Sequence, residues 1–246
     1  MLEEFLKLGA NPSKIIATDS WLLKNNLLIS HLDLGLISIV SKEALSSAVS
    51  TKNPDGVAAI VEKSVINNFK DNSEDDFILV LDRIQDPGNM GNLFRTALAA
   101  GINKILLGGG ANPLNKKVLR ASCGSVFHLP FQRIEGDEDK IIDELLDSLR
   151  ALSKRGFQIV LASIENKSSK SLNKPYWELD WLKPTVLILG NEGSGIHNKI
   201  KEAFRVTITI PHSELVESLN VACVAVPLLL ERKRVALTSI LENKRD

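Results

Sequence analysis

Strands alternating with helices from residue 77 onward predict an α/β domain built on a mostly parallel sheet, preceded by a smaller α/β unit. Three observations carry this reading. Short apolar or β-branched runs recur at 77–81, 104–107, 158–162, 185–189 and 206–210, each bounded by Gly, Pro, Asp or Asn. A helical stretch over 139–155 puts Ile141, Ile142, Leu145, Leu146, Leu149 and Leu152 on one face, with Gly156 at the C′ position. The tract 70–76, Lys-Asp-Asn-Ser-Glu-Asp-Asp, is polar and acidic with no apolar residue. It divides the chain into domains at 1–70 and 77–246, with 71–76 as the linker.

In chain order, residues 1–8 read as an amphipathic helix ended by Gly9, 36–40 as a strand, 42–49 as a helix and 56–61 as a strand. After the linker, the strand at 77–81 runs into a Pro-Gly-Asn loop, and a helix starts near 89–92. The last helix should begin near Ser218, which would cap it, and run to about residue 243. Pro227 lies inside it and predicts a kink or local break.

The 246 residues are 44% hydrophobic and 24% charged, an ordinary soluble globular composition. Thirty Lys and Arg balance thirty Asp and Glu. A uniformly basic nucleic-acid binder is excluded, and a local basic patch is not. Lys116, Lys117 and Arg120 could form one, as could Lys7 and Lys14. No apolar run approaches the ~20 residues of a membrane-spanning helix; the longest, 219–230, is broken by Asn220 and Pro227. The acidic amphipathic start is unlike a signal peptide. Cys123 and Cys223 form neither a disulfide framework nor a CxxC metal site. The expectation is a soluble, cytoplasmic protein with no structural metal and no membrane partner.

Standard catalytic templates fail. There is no GxxxxGK[ST] loop and no GxSxG elbow, and the residue that would complete GxGxxG after Gly108 is Pro113. His31, His128, His197 and His212 have no HExxH or HxH spacing. Chemistry is instead concentrated in three segments. The first, 81–97, carries Asn89 and Arg95 on the first turns of a helix that follows a strand, where parallel sheets bind anions. Six residues apart, the two side chains sit well separated around the helix; Arg95 alone reads as a surface cation paired with a carboxylate. The second, 187–196, sends an apolar strand into a turn with three glycines and Glu192 at its tip. Such a turn lets backbone approach a ligand closely. In the third, 206–221, a strand ends at Pro211 and Asn220 precedes an apolar run, where an unpartnered buried amide would be costly.

In this order the segments DPGNMGNLFRTALAAG, LILGNEGSGI and IPHSELVESLNVACVAVPLLLE resemble the three signature motifs of the SpoU (TrmH-type) branch of the SPOUT methyltransferases, which methylate ribose 2′-hydroxyls of RNA. The stretch 120–130, RASCGSVFHLP, is also similar to the family, and the likeness covers 77–240. Residues 1–70, with KNPDGVAA at 52–59, resemble the family's substrate-binding domain, akin to ribosomal RNA-binding proteins. The resemblance implies a parallel sheet whose C-terminal part forms a deep trefoil knot, and a homodimer with sites at its interface. It implies S-adenosylmethionine (AdoMet) as cofactor, held at Leu189, Gly190, Asn191, Ile210, Pro211 and Leu219, with no metal. Carried over by position, Arg95 faces the 2′-hydroxyl, Asn89 orients it or the ribose, and Glu192, Ser218 and Asn220 complete the catalytic set. A guanidinium is effectively always protonated, so Arg95 suits orienting the RNA phosphate and hydroxyl, the proton leaving to phosphate or water.

This chain departs from the family pattern at Glu214, Ala222 and Pro227, and Glu214 would place a negative charge near the cofactor loop. Large-subunit rRNA is the favoured substrate. The alternatives are a tRNA 2′-O-methyltransferase and a non-catalytic RNA- or ribosome-binding module that retains the fold. An oxidoreductase of Rossmann type lacks its fingerprint.

Overall fold

The computed structural model describes residues 1–51, 53–66, 74–163, 174–213 and 215–242. The chain divides into two compact units, Met1–Asn67 and Asn68–Asp246. Residues 70–73 of the acidic tract, and Glu214, lie outside the described residues.

The first unit runs α1 (Leu2–Leu6), β1 (Lys14–Ala17), α2 (Asp19–Lys24), α3 (Asn26–Ile29), β2 (Ile37–Ile39), α4 (Lys42–Ala48), β3 (Val57–Ile60) and α5 (Lys63–Ile66). Its sheet has the order β2-β1-β3, with β1 parallel to β2 and antiparallel to β3. Ile15 and Ala17 of β1 are fully buried and meet Leu6, Ile29 and Leu32 in the core. Thr18 and Ser41 start α2 and α4 by accepting hydrogen bonds from the backbone N–H groups of Trp21 and Ala44. The central strand β1 is absent from the sequence reading, as are α2 and α3. Lys-Ile-Ile-Ala is too short to display alternation, and only its neighbours define it as a strand.

The second unit runs β4 (Phe77–Asp82), α6 (Pro87–Ala100), β5 (Lys104–Gly108), α7 (Lys116–Ala121), α8 (Ser125–His128), β6 (Phe131–Ile134), α9 (Glu138–Lys154), β7 (Gln158–Ala162), β8 (Lys174–Pro175), β9 (Thr185–Leu189), α10 (Asn198–Ala203), β10 (Val206–Thr209) and α11 (Val221–Glu242). Its seven strands pair in the order β6-β5-β4-β9-β7-β10-β8. Every pairing is parallel. Strands β4, β5 and β9 are buried along their whole length, which is why they read as unbroken apolar runs. The predicted α9 stripe packs on them: Ile142, Leu145, Leu149 and Leu152 join Ile78, Val80, Val186 and Ile188 in one core.

Three expectations are corrected. Helix α6 starts at Pro87, ahead of 89–92, because Asp86 caps it by accepting from Asn89 N–H at 2.7 Å; proline suits the first helical turn, where its missing donor costs nothing. Ser218 does not cap α11. That helix begins at Val221, and the Asn220 side chain accepts from Ala222 N–H at 2.9 Å instead. Of the kink or local break expected at Pro227, the break is absent: α11 is helical through it. The carbonyl it deprives of a partner, four residues back at Cys223, belongs to an exposed residue, where water can replace the donor. Among the described residues, no helix is long and apolar enough to cross a membrane.

Candidate functional site

A cavity of about 560 Å³ opens beyond the carboxyl ends of β7, β9 and β10. Its apolar wall includes Leu189, Ile196, Ile208 and Leu228, and its rim is the turn 190–195 together with Ser218, Leu219 and Asn220. Crevices at this end of a parallel sheet are where such folds bind ligands.

The turn after β9 is held by its own side chains. Asn191 Oδ1 accepts from Gly193 N–H and Ser194 N–H, both at 2.9 Å, and Asn191 Nδ2 donates to the Arg83 carbonyl at 2.8 Å. Gly190 is required by close approach: a Cβ there would lie 2.3 Å from Ile196 N and 2.4 Å from Gly195 C. These contacts aim Glu192 at the start of α6. Its carboxylate accepts from Gln85 N–H and Asp86 N–H, each at 3.2 Å, and from Asn89 Nδ2 at 3.0 Å. Partial burial pushes the Glu192 carboxyl up. The hydrogen bonds from Asn89, its own backbone, Gln85 and Asp86 outweigh that, so its pKa lies below the ordinary value. Asn89 Oδ1 in turn accepts from Asn220 Nδ2 at 3.0 Å. One continuous chain, Asn220–Asn89–Glu192, therefore ties the first turn of α6 to two loops that lie 131 and 103 residues away along the sequence.

Leu189, Gly190, Asn191, Glu192, Ile210, Ser218, Leu219 and Asn220 line the cavity; Asn89, Arg95 and Pro211 do not. Asn220 is exposed, contrary to the burial expected for it, and its amide is satisfied by Asn89 and the α11 cap. Arg95 is exposed on α6 and is not joined to that chain by any hydrogen bond among the described residues. Instead of a carboxylate it meets the Cys123 thiol, with Nη1 3.7 Å from Sγ. Ser218 is exposed at the rim.

Several residues here escaped the sequence reading. Asp82, fully buried at the end of β4, accepts from His197 N–H at 2.7 Å and from Arg83 Nε at 2.9 Å. Arg83 adopts φ 56° and also donates to the Gly195 carbonyl at 3.4 Å, so this pair braces the turn from behind. The Asp-Arg dipeptide following an apolar strand was its one available signal. Thr209 lines the cavity, and its Oγ1 is buried without a hydrogen-bond partner among the described residues. No group of His, Cys, Asp and Glu among the described residues could hold a metal.

Fold and site together define an open parallel α/β protein whose ligand cavity is built from sharp loops at the carboxyl ends of its strands. Residues 76–230 match the SpoU rRNA Methylase family, and the chain belongs to it. It is 33% identical over 239 residues to an uncharacterized tRNA/rRNA methyltransferase, slr1673, of Synechocystis sp., covering 95% of this chain and 81% of that protein. It is 30% identical over 234 residues to the 23S rRNA (guanosine(2553)-2′-O)-methyltransferase RlmP of Bacillus subtilis, covering 93% of this chain and 84% of that protein. The structure of an AdoMet-bound rRNA methyltransferase from Sinorhizobium meliloti superposes with a TM-score of 0.74 at 25% identity, covering 95% of this chain and 85% of that one.

Proposed function

We propose that this chain transfers a methyl group from AdoMet to a ribose 2′-hydroxyl of large-subunit rRNA. The observation that carries the reading is the convergence of all three signature segments. They meet in the chain Asn220–Asn89–Glu192 at the edge of a cavity sized for a small ligand. The 23S rRNA 2′-O-methylation for which RlmP is named supplies the rRNA and the 2′-oxygen.

The residues present fit AdoMet. The cavity offers an apolar wall for an adenine, loop backbone at Gly190, Ile210 and Leu219 to read its edges, and in Thr209 a buried hydroxyl with no partner among the described residues. Leu189 belongs to that apolar wall, and Asn191 and Pro211 would shape the loop backbone. When bound, AdoMet supplies an electrophilic methyl on a sulfonium. Arg95 would orient the RNA phosphate and the 2′-hydroxyl, and it stays charged throughout. The proton leaves to a phosphate oxygen or water. Asn89 orients the ribose, Glu192 fixes Asn89, and Ser218 with Asn220 forms the wall between cofactor and substrate.

The finer architecture belongs to the same reading. Strand β9 follows β7 in the chain yet pairs between β4 and β7, which supports the trefoil knot in the C-terminal part. Residues 1–70 serve as the RNA-binding domain, with 71–76 as linker to the catalytic domain 77–246. The active form is a homodimer. Free Cys123 and Cys223, both exposed, suit the reducing cytoplasm.

The test is methyl transfer from labelled AdoMet to unmodified rRNA and tRNA pools, with Arg95→Ala alongside. Label in rRNA at one ribose, resistant to alkaline hydrolysis and absent with the variant, is the expected result. Label in tRNA alone would move the substrate. No label and no AdoMet binding would leave a non-catalytic RNA-binding module.

A further inference from the structure

Four cations gather where α7 lies against α6. Gly91 permits the approach: a Cβ there would sit 2.4 Å from Ala121 Cβ and 2.8 Å from the Val118 carbonyl oxygen. Arg95 follows one turn later on the same face of α6. Its Nη1 donates to Cys123 Sγ at 3.7 Å, and that thiol donates to the Arg120 carbonyl at 3.8 Å. The guanidinium of Arg95 and the backbone of Arg120 thus meet at one sulfur. On α7, Lys116 and Lys117 stand four and three residues before Arg120, so the three share one face. All are exposed, as is Arg95, and none of the four has a carboxylate partner among the described residues.

Several other arginines and lysines of this unit are paired: Arg83 with Glu138, Arg133 with Glu135, Lys199 with Asp143 and Arg232 with Asp76. Like charges three and four apart on a helix repel, and an anion covering them removes the penalty. The chain carries no net charge, so the cluster is not overflow from a basic composition. Acidic residues are concentrated instead on α9, at Glu138, Asp139, Asp143, Glu144 and Asp147.

We propose, on the footing of the ribose methylation read above, that Lys116, Lys117 and Arg120 grip the phosphates of the RNA strand that brings the target ribose to Arg95. The partner is a polyanion with regularly spaced charges. Three cations on one helical face beside an orienting arginine match successive phosphates.

The test uses the full chain carrying Lys116→Gln, Lys117→Gln and Arg120→Gln together, and transcribed large-subunit rRNA titrated across a salt series. Each lost phosphate contact should remove roughly 0.7–0.9 from the slope of log affinity against log salt. The triple variant should therefore lose roughly 2.1–2.7, with KM for RNA raised at least about tenfold. Its kcat at saturating RNA, AdoMet affinity and melting temperature should match the parent. A control pair on α9, Lys140→Gln and Lys154→Gln, should leave the slope unchanged. A triple variant with the parental slope, or a control that lowers it equally, overturns the proposal while the ribose-methylation reading stands. A parent chain that neither binds nor methylates the rRNA overturns both.

Discussion

Arg95 carries a permanent charge into a position where, among the described residues, a thiol alone receives it, with Nη1 3.7 Å from Cys123 Sγ. A sulfur is a weak acceptor, so the guanidinium is held loosely and is free to turn toward a phosphate when RNA arrives. Arg95→Ala should lower methyl transfer by about 10²-fold or more, the scale seen when one transition-state donor is removed. AdoMet affinity, measured by calorimetry, should stay close to parental because Arg95 does not line the cavity. Equal loss of both would make Arg95 structural. Glu192 works in the opposite way, as a group fully committed within the protein. Its folded pKa lies below the ordinary value, since hydrogen bonds from Asn89 and the backbone outweigh the opposing effect of partial burial. Stability from such a group is present above the unfolded pKa and is lost as pH falls through the folded one. Melting temperatures of the parent and Glu192→Gln should therefore differ at neutral pH and converge in acid, below the ordinary carboxylate range near about 4.3. A gap that persists unchanged at acid pH would show that the carboxylate charge contributes nothing.

At the scale of elements, the site depends on how closely α6 and α7 approach. Gly91→Ala would press a methyl against Ala121 Cβ at 2.4 Å and against backbone at Ser122 N and the Val118 carbonyl, both at 2.8 Å. Backbone cannot swing aside as a flexible side chain can. The substitution should cost about 1–3 kcal/mol, a fall of roughly 2–4 °C in melting temperature per kcal/mol. It should also reduce methyl transfer, because Cys123, to which Arg95 donates, follows directly on α7; full activity in a destabilised Gly91→Ala would separate packing from function. The same scale explains what the sequence disclosed. Long or fully buried elements were legible: the α9 stripe repeats over four turns, and β4, β5 and β9 are uninterrupted apolar runs. Among the shortest strands, β3 and β10 stood out as apolar or β-branched runs, whereas β1 and β6, whose four residues include Lys14 or Gln132 and Arg133, did not and take their conformation from their sheet neighbours. The start of α11 was misread for a related reason. Ser218 and Asn220 are both good caps, and only the Asn89–Asn220 contact, formed across 131 residues, decides between them. The buried Asp82–Arg83 brace was hidden in the same way, since its partners His197 and Gly195 come from a distant loop.

For the whole molecule, zero net charge and an RNA substrate are reconciled by segregation, with cations on α7 and acids on α9. A second segregation, of apolar surface, bears on assembly. Val226, Leu230, Leu237 and Leu241 are 44%, 40%, 53% and 60% exposed, and at 100° per residue they fall within about 60° of one another on α11. Lys233 lies in the same stripe but is turned aside, its Nζ donating to the Ala99 carbonyl at 2.8 Å. That contact joins the stripe to the end of α6, where Leu98 is 38% exposed. A contiguous apolar band of this kind marks an interaction site rather than ordinary surface, and the proposed homodimer supplies its occupant. Because α6 also carries Arg95, a second copy seated there would cover the apolar end of the helix and leave Arg95 near the joint. Leu230→Glu combined with Leu237→Glu should convert a dimer into a monomer in sedimentation analysis. Neither residue lines the cavity, so the monomer should keep its fold and its melting transition. Methyl transfer should fall at least about tenfold if the second copy completes the RNA-binding face, since buried apolar positions at an interface centre carry most of its energy. A parent chain that sediments as a monomer at full activity would remove the homodimer from the reading and leave the α11 stripe to another partner.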